Sequence, residues 1–239
     1  MSARFEELGW KKTPMGVFSL RRRFDLTVGA DIYEVKLDDE HLMSSLFTVA
    51  ERELARLGLA RTPGTDLDVI VGGLGLGYTA LEALQCSRVR TLTVIEYSDV
   101  VIDWHRRDLL PDTAGLAADE RVALVCADFF AAATDAVGFD PEHPGRTYDA
   151  ILLDIDHSPR HVLHAPHADF YTRQGLRSAS TRLVPGGVFA MWSDDPPDDD
   201  FISLLESVFT DVAAESVWFD NPITRGRSAA TIYLATRGR

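Results

Sequence analysis

The N-terminal part of the chain is patterned in short β-type runs. Phe18-Ser-Leu-Arg-Arg-Arg-Phe24 and Asp31-Ile-Tyr-Glu-Val-Lys-Leu37 flank Asp25 to Ala30, a stretch that contains Gly29, and together they predict a hairpin. Asp38 or Asp39 then stands as the cap of a helix running to about Leu59, with Leu42, Leu46, Val49, Leu54 and Leu57 as its apolar stripe. The Pro/Gly segment Arg61-Thr-Pro-Gly-Thr65 breaks that pattern. It divides the chain into a small N-terminal hairpin and helix, residues 1–60, and a main domain, residues 61–239.

Beyond the linker the apolar positions come in short runs that do not alternate, separated by helical segments. Strands are expected at Leu67 to Val71, Thr91 to Ile95, Val122 to Cys126, Tyr148 to Leu153 and Val188 to Trp192. Helices are expected at Thr79 to Leu84 and Asp99 to Leu109, in a segment ending at Pro185-Gly-Gly187, and at Phe201 to Phe209. Continuous apolar strands joined by helices are the mark of an α/β domain whose parallel sheet is covered on both faces. Two more β-type runs, Ser216 to Phe219 and Ala230 to Ala235, close the chain around a turn containing Pro222 and Gly226.

At 239 residues the chain has room for one such domain and a small extra element. A formal charge of −13 argues against nucleic acid or an anionic membrane as partner, because phosphate binding needs a Lys/Arg surface; it suits a cationic small molecule, or simply solubility. Cys86 and Cys126 lie far apart and form no CxxC pair, so neither a disulfide framework nor a thiolate metal site is expected. Met1 to Lys12 has no apolar signal-type core and no run of about 18 apolar residues occurs, so a cytoplasmic location is expected.

The candidate chemistry gathers at successive strand ends. Asp68-Val-Ile-Val71 leads into Gly72-Gly73-Leu74-Gly75-Leu76-Gly77 and then a helix, where small residues let a ligand approach the backbone and the helix N-terminus offers N–H groups. Gly75-Leu-Gly77-Tyr-Thr-Ala80 also satisfies the looser dinucleotide pattern, so a nicotinamide or flavin oxidoreductase stays open on the glycines alone. Glu96, followed by Tyr97, ends the second strand, where a carboxylate can accept both ribose hydroxyls. Asp128 and Phe129 follow the third strand, where an acidic residue can accept from an adenine amino group or, alternatively, cap a helix. Asp154 ends the fourth, at the mouth of the crevice. Four landmarks in order point to an adenosyl sulfonium rather than a dinucleotide.

With these motifs in place, the chain resembles the spermidine synthase family of aminopropyltransferases, within the class I S-adenosylmethionine-dependent methyltransferase superfamily. The likeness runs through the hairpin and Asp39-Glu40, the glycine loop, Val94-Ile-Glu96, Arg121 to Asp128, Tyr148 to Asp154, Phe170-Tyr171 and Leu183 to Phe189. It implies a Rossmann-like class I methyltransferase fold, a mostly parallel seven-stranded sheet with a terminal antiparallel strand. It also implies a homo-oligomer of two or more chains. The cofactor it implies is S-adenosylmethionine or its decarboxylated form, held by Gly73, Gly75, Leu76, Gly77, Glu96, Tyr97, Asp128, Phe129 and Asp154, with Asp154 deprotonating the attacking amine.

The acceptor side departs from that pattern. The family's glycine-loop Asp, which pairs with the aminopropyl ammonium, is replaced by Leu76 or, in the other register, Gly75; its Tyr-His-Glu is replaced by Met43-Ser44-Ser45. Its Asp-x-x-Asp-Pro loop becomes Asp154-Ile-Asp156-His157-Ser-Pro159, and its Pro-Thr-Tyr-Pro turn becomes Pro222-Ile-Thr-Arg225. A buried ammonium without a counter-charge costs several kcal/mol, and loss of the loop Asp removes a charge that would repel the carboxylate of intact S-adenosylmethionine. Methyl transfer to a small acceptor, with an amine as one candidate, is therefore placed ahead of aminopropyl transfer to an amine, and a non-catalytic nucleotide-binding protein is the alternative of another class.

Asp154 is the first choice of base, with Asp156 and His157 behind it; a histidine near its reference pKa of about 6.5 could act near neutral pH. Trp192, the last residue of the fifth strand, and Asp194 and Asp195, on the loop after it, are candidates for contacting the acceptor, whereas Trp104 is better read as core. The histidines at 157, 161, 164 and 167 read as a polar lid, and no metal is expected. Asp198-Asp199-Asp200 reads as a helix N-terminal charge cluster.

Overall fold

A computed structural model describes residues 5–13 and 16–239 of the chain. Its N-terminal sheet is antiparallel, in the order β1 (Phe5–Thr13), β2 (Gly16–Asp25), β3 (Ala30–Leu37), β4 (Glu40–Ser44). β2 and β3 are the expected hairpin; Asp25 Oδ1 accepts from the Thr27 amide at 2.8 Å and Gly29 takes φ 69°, so side chain and glycine together make the turn. The outer strands β1 and β4 were not expected.

The helix expected from Asp38 or Asp39 does not start there. Asp38 is in the left-handed region (φ 51°), and its Oδ1 accepts from the Val17 amide at 2.9 Å. That turn sends residues 40–44 back along β3, with Glu34 opposite Ser44. Leu42 and Leu46 therefore precede the helix, and α1 spans Val49–Arg61.

The second sheet has seven strands in the order β10-β11-β9-β8-β5-β6-β7. These are β5 (Leu67–Gly72), β6 (Val89–Glu96), β7 (Val122–Cys126), β8 (Tyr148–Leu153), β9 (Leu183–Ser193), β10 (Thr210–Asn221) and β11 (Gly226–Thr236). The first five are parallel, and β11 runs antiparallel between β9 and β10, as the pattern of a terminal hairpin implied. β9 starts earlier than expected, at Leu183, because the preceding helix α5 (Arg173–Ser180) ends before Pro185-Gly-Gly187 rather than at it. The register of β8 against β9 shifts between Tyr148 and Ala150, and Gly186 takes φ 83° in that irregular stretch. The remaining helices are α2 (Tyr78–Gln85), α3 (Asp99–Arg106), α4 (Phe129–Thr134) and α6 (Asp199–Glu206).

Strand alternation divides the core into two layers. Val69, Val71, Leu92, Val94, Ala150, Leu152, Ala190 and Ile232 pack with α1, α2 and α3, while Ile70, Ile95, Ile151, Leu153, Phe189 and Tyr233 pack with α4, α5 and α6. Trp104 is 2% exposed in the first layer, as its core reading required. At Gly58 the α1 backbone presses against the sheet: a Cβ there would lie 2.6 Å from Leu152 Cδ2 and 3.1 Å from Ala190 Cβ. No described helix is long and apolar enough to cross a membrane.

Candidate active site

β5 lies between β8, through which the chain later builds one half of the sheet, and β6, through which it builds the other. Strand order reverses there, and such a reversal opens a crevice beyond the carboxyl ends of the strands. Gly72 and Gly73 stand at the end of β5, Glu96 at the end of β6, Asp128 just past β7 and Asp154 just past β8.

The glycine loop is held by its backbone. Gly73, Gly75 and Gly77 all have positive φ (92°, 49° and 89°), which glycine adopts at little cost. The His105 ring Nε2 lies 2.9 Å from the Gly75 carbonyl oxygen and the Thr113 hydroxyl donates to the Leu76 carbonyl at 3.0 Å. Burial pushes the His105 pKa down, which favours a neutral ring whose Nε2–H donates to Gly75. The Leu76 side chain is 6% exposed and belongs to the core, so this residue offers the crevice only its backbone. A Cβ on Gly75 would lie 2.9 Å from Met43 Sδ, so β4 places a thioether over the loop where one alignment puts the family's Asp.

Glu96 accepts from the Leu74 amide at 3.0 Å through Oε2 and from the Ser98 amide at 2.8 Å through Oε1. Burial pushes its carboxyl up, and the Ser98 and Leu74 amides pull it part of the way back. The Gly75 and Tyr97 amides lower it as well, so backbone donors from the glycine loop and from the turn after β6 surround this carboxylate. Tyr97 is 62% exposed beside it. Asp128 is exposed and caps α4, its Oδ1 accepting from Phe130 and Ala131 at 2.9 and 3.1 Å. The Phe129 side chain is 2% exposed and lies against Gly72, so it supports the loop from inside the core.

Asp154 is half-buried, and its Oδ2 accepts from the Thr79 hydroxyl at 2.6 Å. Burial raises its pKa to about 6. The same Thr79 oxygen lies 3.2 Å from the carbonyl oxygen of Glu51, in the first turn of α1. Glu51 is half-buried too, and burial, with the charge of Asp154 second, lifts its pKa to about 8. Neither carboxylate forms an ion pair among the described residues; Arg52, next to Glu51, turns to Glu82 at 3.3 Å and to the Tyr78 ring. Trp192 lies on the α1 side of the sheet, its Nε1 buried without a protein partner among the described residues.

The other residues expected at the acceptor side stand in the loops after β8 and β9. Asp156 is fully buried and accepts from the Leu163 amide (2.7 Å), His167 (2.9 Å) and the Tyr171 hydroxyl (2.8 Å), so both its oxygens are committed to folding the 156–171 loop. His157 is exposed, and its carbonyl accepts from the Asp194 amide at 2.7 Å, tying the loops after β8 and β9 together. Asp194 is itself exposed. Asp195 meets His161 at 3.0 Å, and Ser158 first, then His161, hold its carboxyl below the ordinary value. Asp198 caps α6 and pairs with Arg160. Among the described residues no three His, Cys, Asp or Glu side chains are grouped to hold a metal.

Sequence reading missed Glu51, Thr79 and the seat of Met43. Glu51 carries no motif, and only the true start of α1 reveals that it belongs to the first turn, facing the crevice layer. What assembles is a row of acidic acceptors at successive strand ends beside two half-buried carboxylates that form no ion pair among the described residues, an arrangement suited to receiving a positively charged ligand and taking a proton from it.

No known family profile matches the chain. Over 135 residues it is 31% identical to putrescine N-methyltransferase 3 of Nicotiana tabacum, a match covering 56% of this chain and 32% of that protein. Over 155 residues it is 29% identical to polyamine aminopropyltransferase 2 of Pseudomonas aeruginosa, covering 61% of this chain and 40% of that one. The chain thus spans about a third of the length of the methyltransferase relatives it matches. Among solved structures, spermidine synthase from Thermotoga maritima superposes with a TM-score of 0.72 at 18% identity, over 97% of this chain and 73% of that one. A spermidine synthase in complex with the transition-state analogue AdoDATO gives a TM-score of 0.71, also at 18% identity, over 97% of this chain and 72% of that one.

Proposed function

From the premise that this chain is spermidine-synthase-like in fold and in sequence, we propose that it is a group transferase that methylates a small aliphatic amine with S-adenosylmethionine as donor. When bound, that donor supplies a methyl carbon already activated by the sulfonium charge. Glu96 accepts the ribose hydroxyls, the free capacity of Asp128 serves the adenine amino group, and the glycine loop positions both. Asp154 takes the proton of the acceptor amine; with a pKa of about 6 it is a stronger base than an ordinary carboxylate yet largely ionised at neutral pH.

The observation that carries methyl over aminopropyl transfer is that Met43 stands where a side chain on Gly75 would have to go. No loop carboxylate stands there to hold an aminopropyl ammonium or to repel the carboxylate of intact S-adenosylmethionine. Aminopropyl transfer from decarboxylated S-adenosylmethionine is the second reading, favoured by the aminopropyltransferase relatives. It would use the same base on the same kind of acceptor.

Calorimetric titration separates the two. The intact pair, S-adenosylmethionine and S-adenosylhomocysteine, is expected to bind at least about tenfold tighter than decarboxylated S-adenosylmethionine and methylthioadenosine, the scale of one lost charge-assisted contact. N-methylputrescine should then form from putrescine in a mass-detected assay. The opposite ligand preference, with spermidine as product, would replace methyl by aminopropyl transfer.

A further inference from the structure

Thr79 joins two acidic residues from different parts of the chain, through the side chain of Asp154 and the backbone carbonyl of Glu51. Asp154 is delivered by the end of β8, and Glu51 by the first turn of α1, about 100 residues earlier in sequence. Thr79, itself 2% exposed, bonds Asp154 Oδ2 and touches the Glu51 backbone, so the two segments are fixed to one another through α2. The charged and titratable groups around Glu51 are Asp154, Arg52 on its own helix, and Tyr78 and Glu82 on α2. β9, β10 and β11 turn Trp192, Ala213, Val217, Ile232 and Leu234 to this layer, none of which carries charge. Arg52 is the nearest cation, and it is already engaged by Glu82 and the Tyr78 ring.

Two carboxylates in a low-dielectric pocket, without a cation, cannot both ionise cheaply. We propose that Glu51 is the second carboxylate of the acceptor site, and that Glu51 and Asp154 receive the ammonium group of an aliphatic amine as a proton-sharing pair. The inference rests on the amine acceptor proposed above. In the free protein the pair holds one proton and one negative charge at neutral pH. An entering ammonium supplies the missing positive charge, the shared proton leaves to solvent, and the pair becomes doubly ionised around the cation. One proton is exchanged for one ammonium, so charge balances. The pair titrates as a unit, with the upward shifts of both groups as support. Once the pair is doubly ionised, either carboxylate can accept the amine proton that must depart before the nitrogen lone pair attacks.

Putrescine is titrated into the protein saturated with S-adenosylhomocysteine, at pH 7, in buffers of differing ionisation enthalpy. The wild type is expected to release close to one proton per putrescine bound, on the pair logic above. Glu51→Gln should release well under half a proton and bind putrescine about 10- to 100-fold more weakly, the scale of a lost charged contact. Its affinity for S-adenosylhomocysteine should stay within about twofold, since Glu51 does not serve the nucleoside. Glu51→Asp, which restores the charge on a shorter arm, should recover part of the proton release. Putrescine binding of equal strength in wild type and Glu51→Gln, or binding without proton release in the wild type, would overturn the pair while leaving the amine acceptor standing. Failure of putrescine and longer diamines to bind the wild type at all would overturn both.

Discussion

Asp154→Asn is expected to lower turnover by about 10³-fold, within the usual range for loss of a positioned general base, while nucleoside affinity stays within about twofold. The amide keeps the oxygen that accepts from Thr79, so the loop after β8 need not move. The same substitution should make the protein more stable at alkaline pH. Folding raises the Asp154 pKa from 3.8 to about 6, so between those values the folded state holds a proton that the unfolded state has lost. Stability therefore falls as pH rises through that window, and above about pH 6 the whole cost of the buried charge is present. Glu51 extends the effect, since its window runs from 4.5 to about 8. Asn carries no such cost. Thermal melts at pH 8 should favour Asp154→Asn by about 1–3 kcal/mol, and the advantage should vanish near pH 4. A variant that keeps wild-type turnover would remove Asp154 from the chemistry; one that loses stability at pH 8 would contradict its burial as an unpaired charge.

Gly73→Ala should be the most damaging single methyl group in the chain. Gly73 has φ 92°, and a Cβ there would stand 2.2 Å from the carbonyl oxygen of Asp154. That carbonyl cannot retreat, because the Asp154 amide is bonded to the Gly72 carbonyl at 2.8 Å and β5 and β8 pair along their length. Left-handed strain and overpacking together are expected to cost about 3 kcal/mol or more, read as a lower midpoint in urea, with S-adenosylhomocysteine binding lost by at least about tenfold. Gly29 provides the control: φ is 69°, and a Cβ would meet nothing within 4 Å. Gly29→Ala should cost only about 1–2 kcal/mol. Equal losses at the two positions would mean that the tight seat of the loop on Asp154 matters no more than backbone conformation alone.

These two residues also mark what a one-dimensional reading can and cannot reach. The glycine loop, Glu96, Asp128 and Asp154 were legible because each sits at the end of an apolar run, and strand ends in a parallel sheet share one edge of the domain. β7 and β8 fall on the residues that their apolar runs marked. The segment from Asp38 to Val49 was misread because its leucines fit a helical period while the deciding event, Asp38 turning left-handed onto the Val17 amide, is a contact across 21 residues. That same error hid Glu51, which on the expected helix would have been one more solvated acid in mid-helix. Asp156 illustrates the converse. Two positions from Asp154 it shares the motif, yet the loop folds it inward onto His167 and Tyr171, and no local pattern announces which of two neighbouring acids will be buried as a hub.

The close seat of α1 on the sheet has a mechanical meaning. Gly58 is the fulcrum of a rigid rod whose first turn carries Glu51, seven residues and about 10 Å away along the axis. A methyl wedge at Gly58 would tilt that rod off Leu152 and Ala190, and the far end would swing while the strand carrying Asp154 stayed in place. Where Glu51 stands relative to Asp154 thus depends on a hydrogen atom at Gly58, a position well removed from both along the chain.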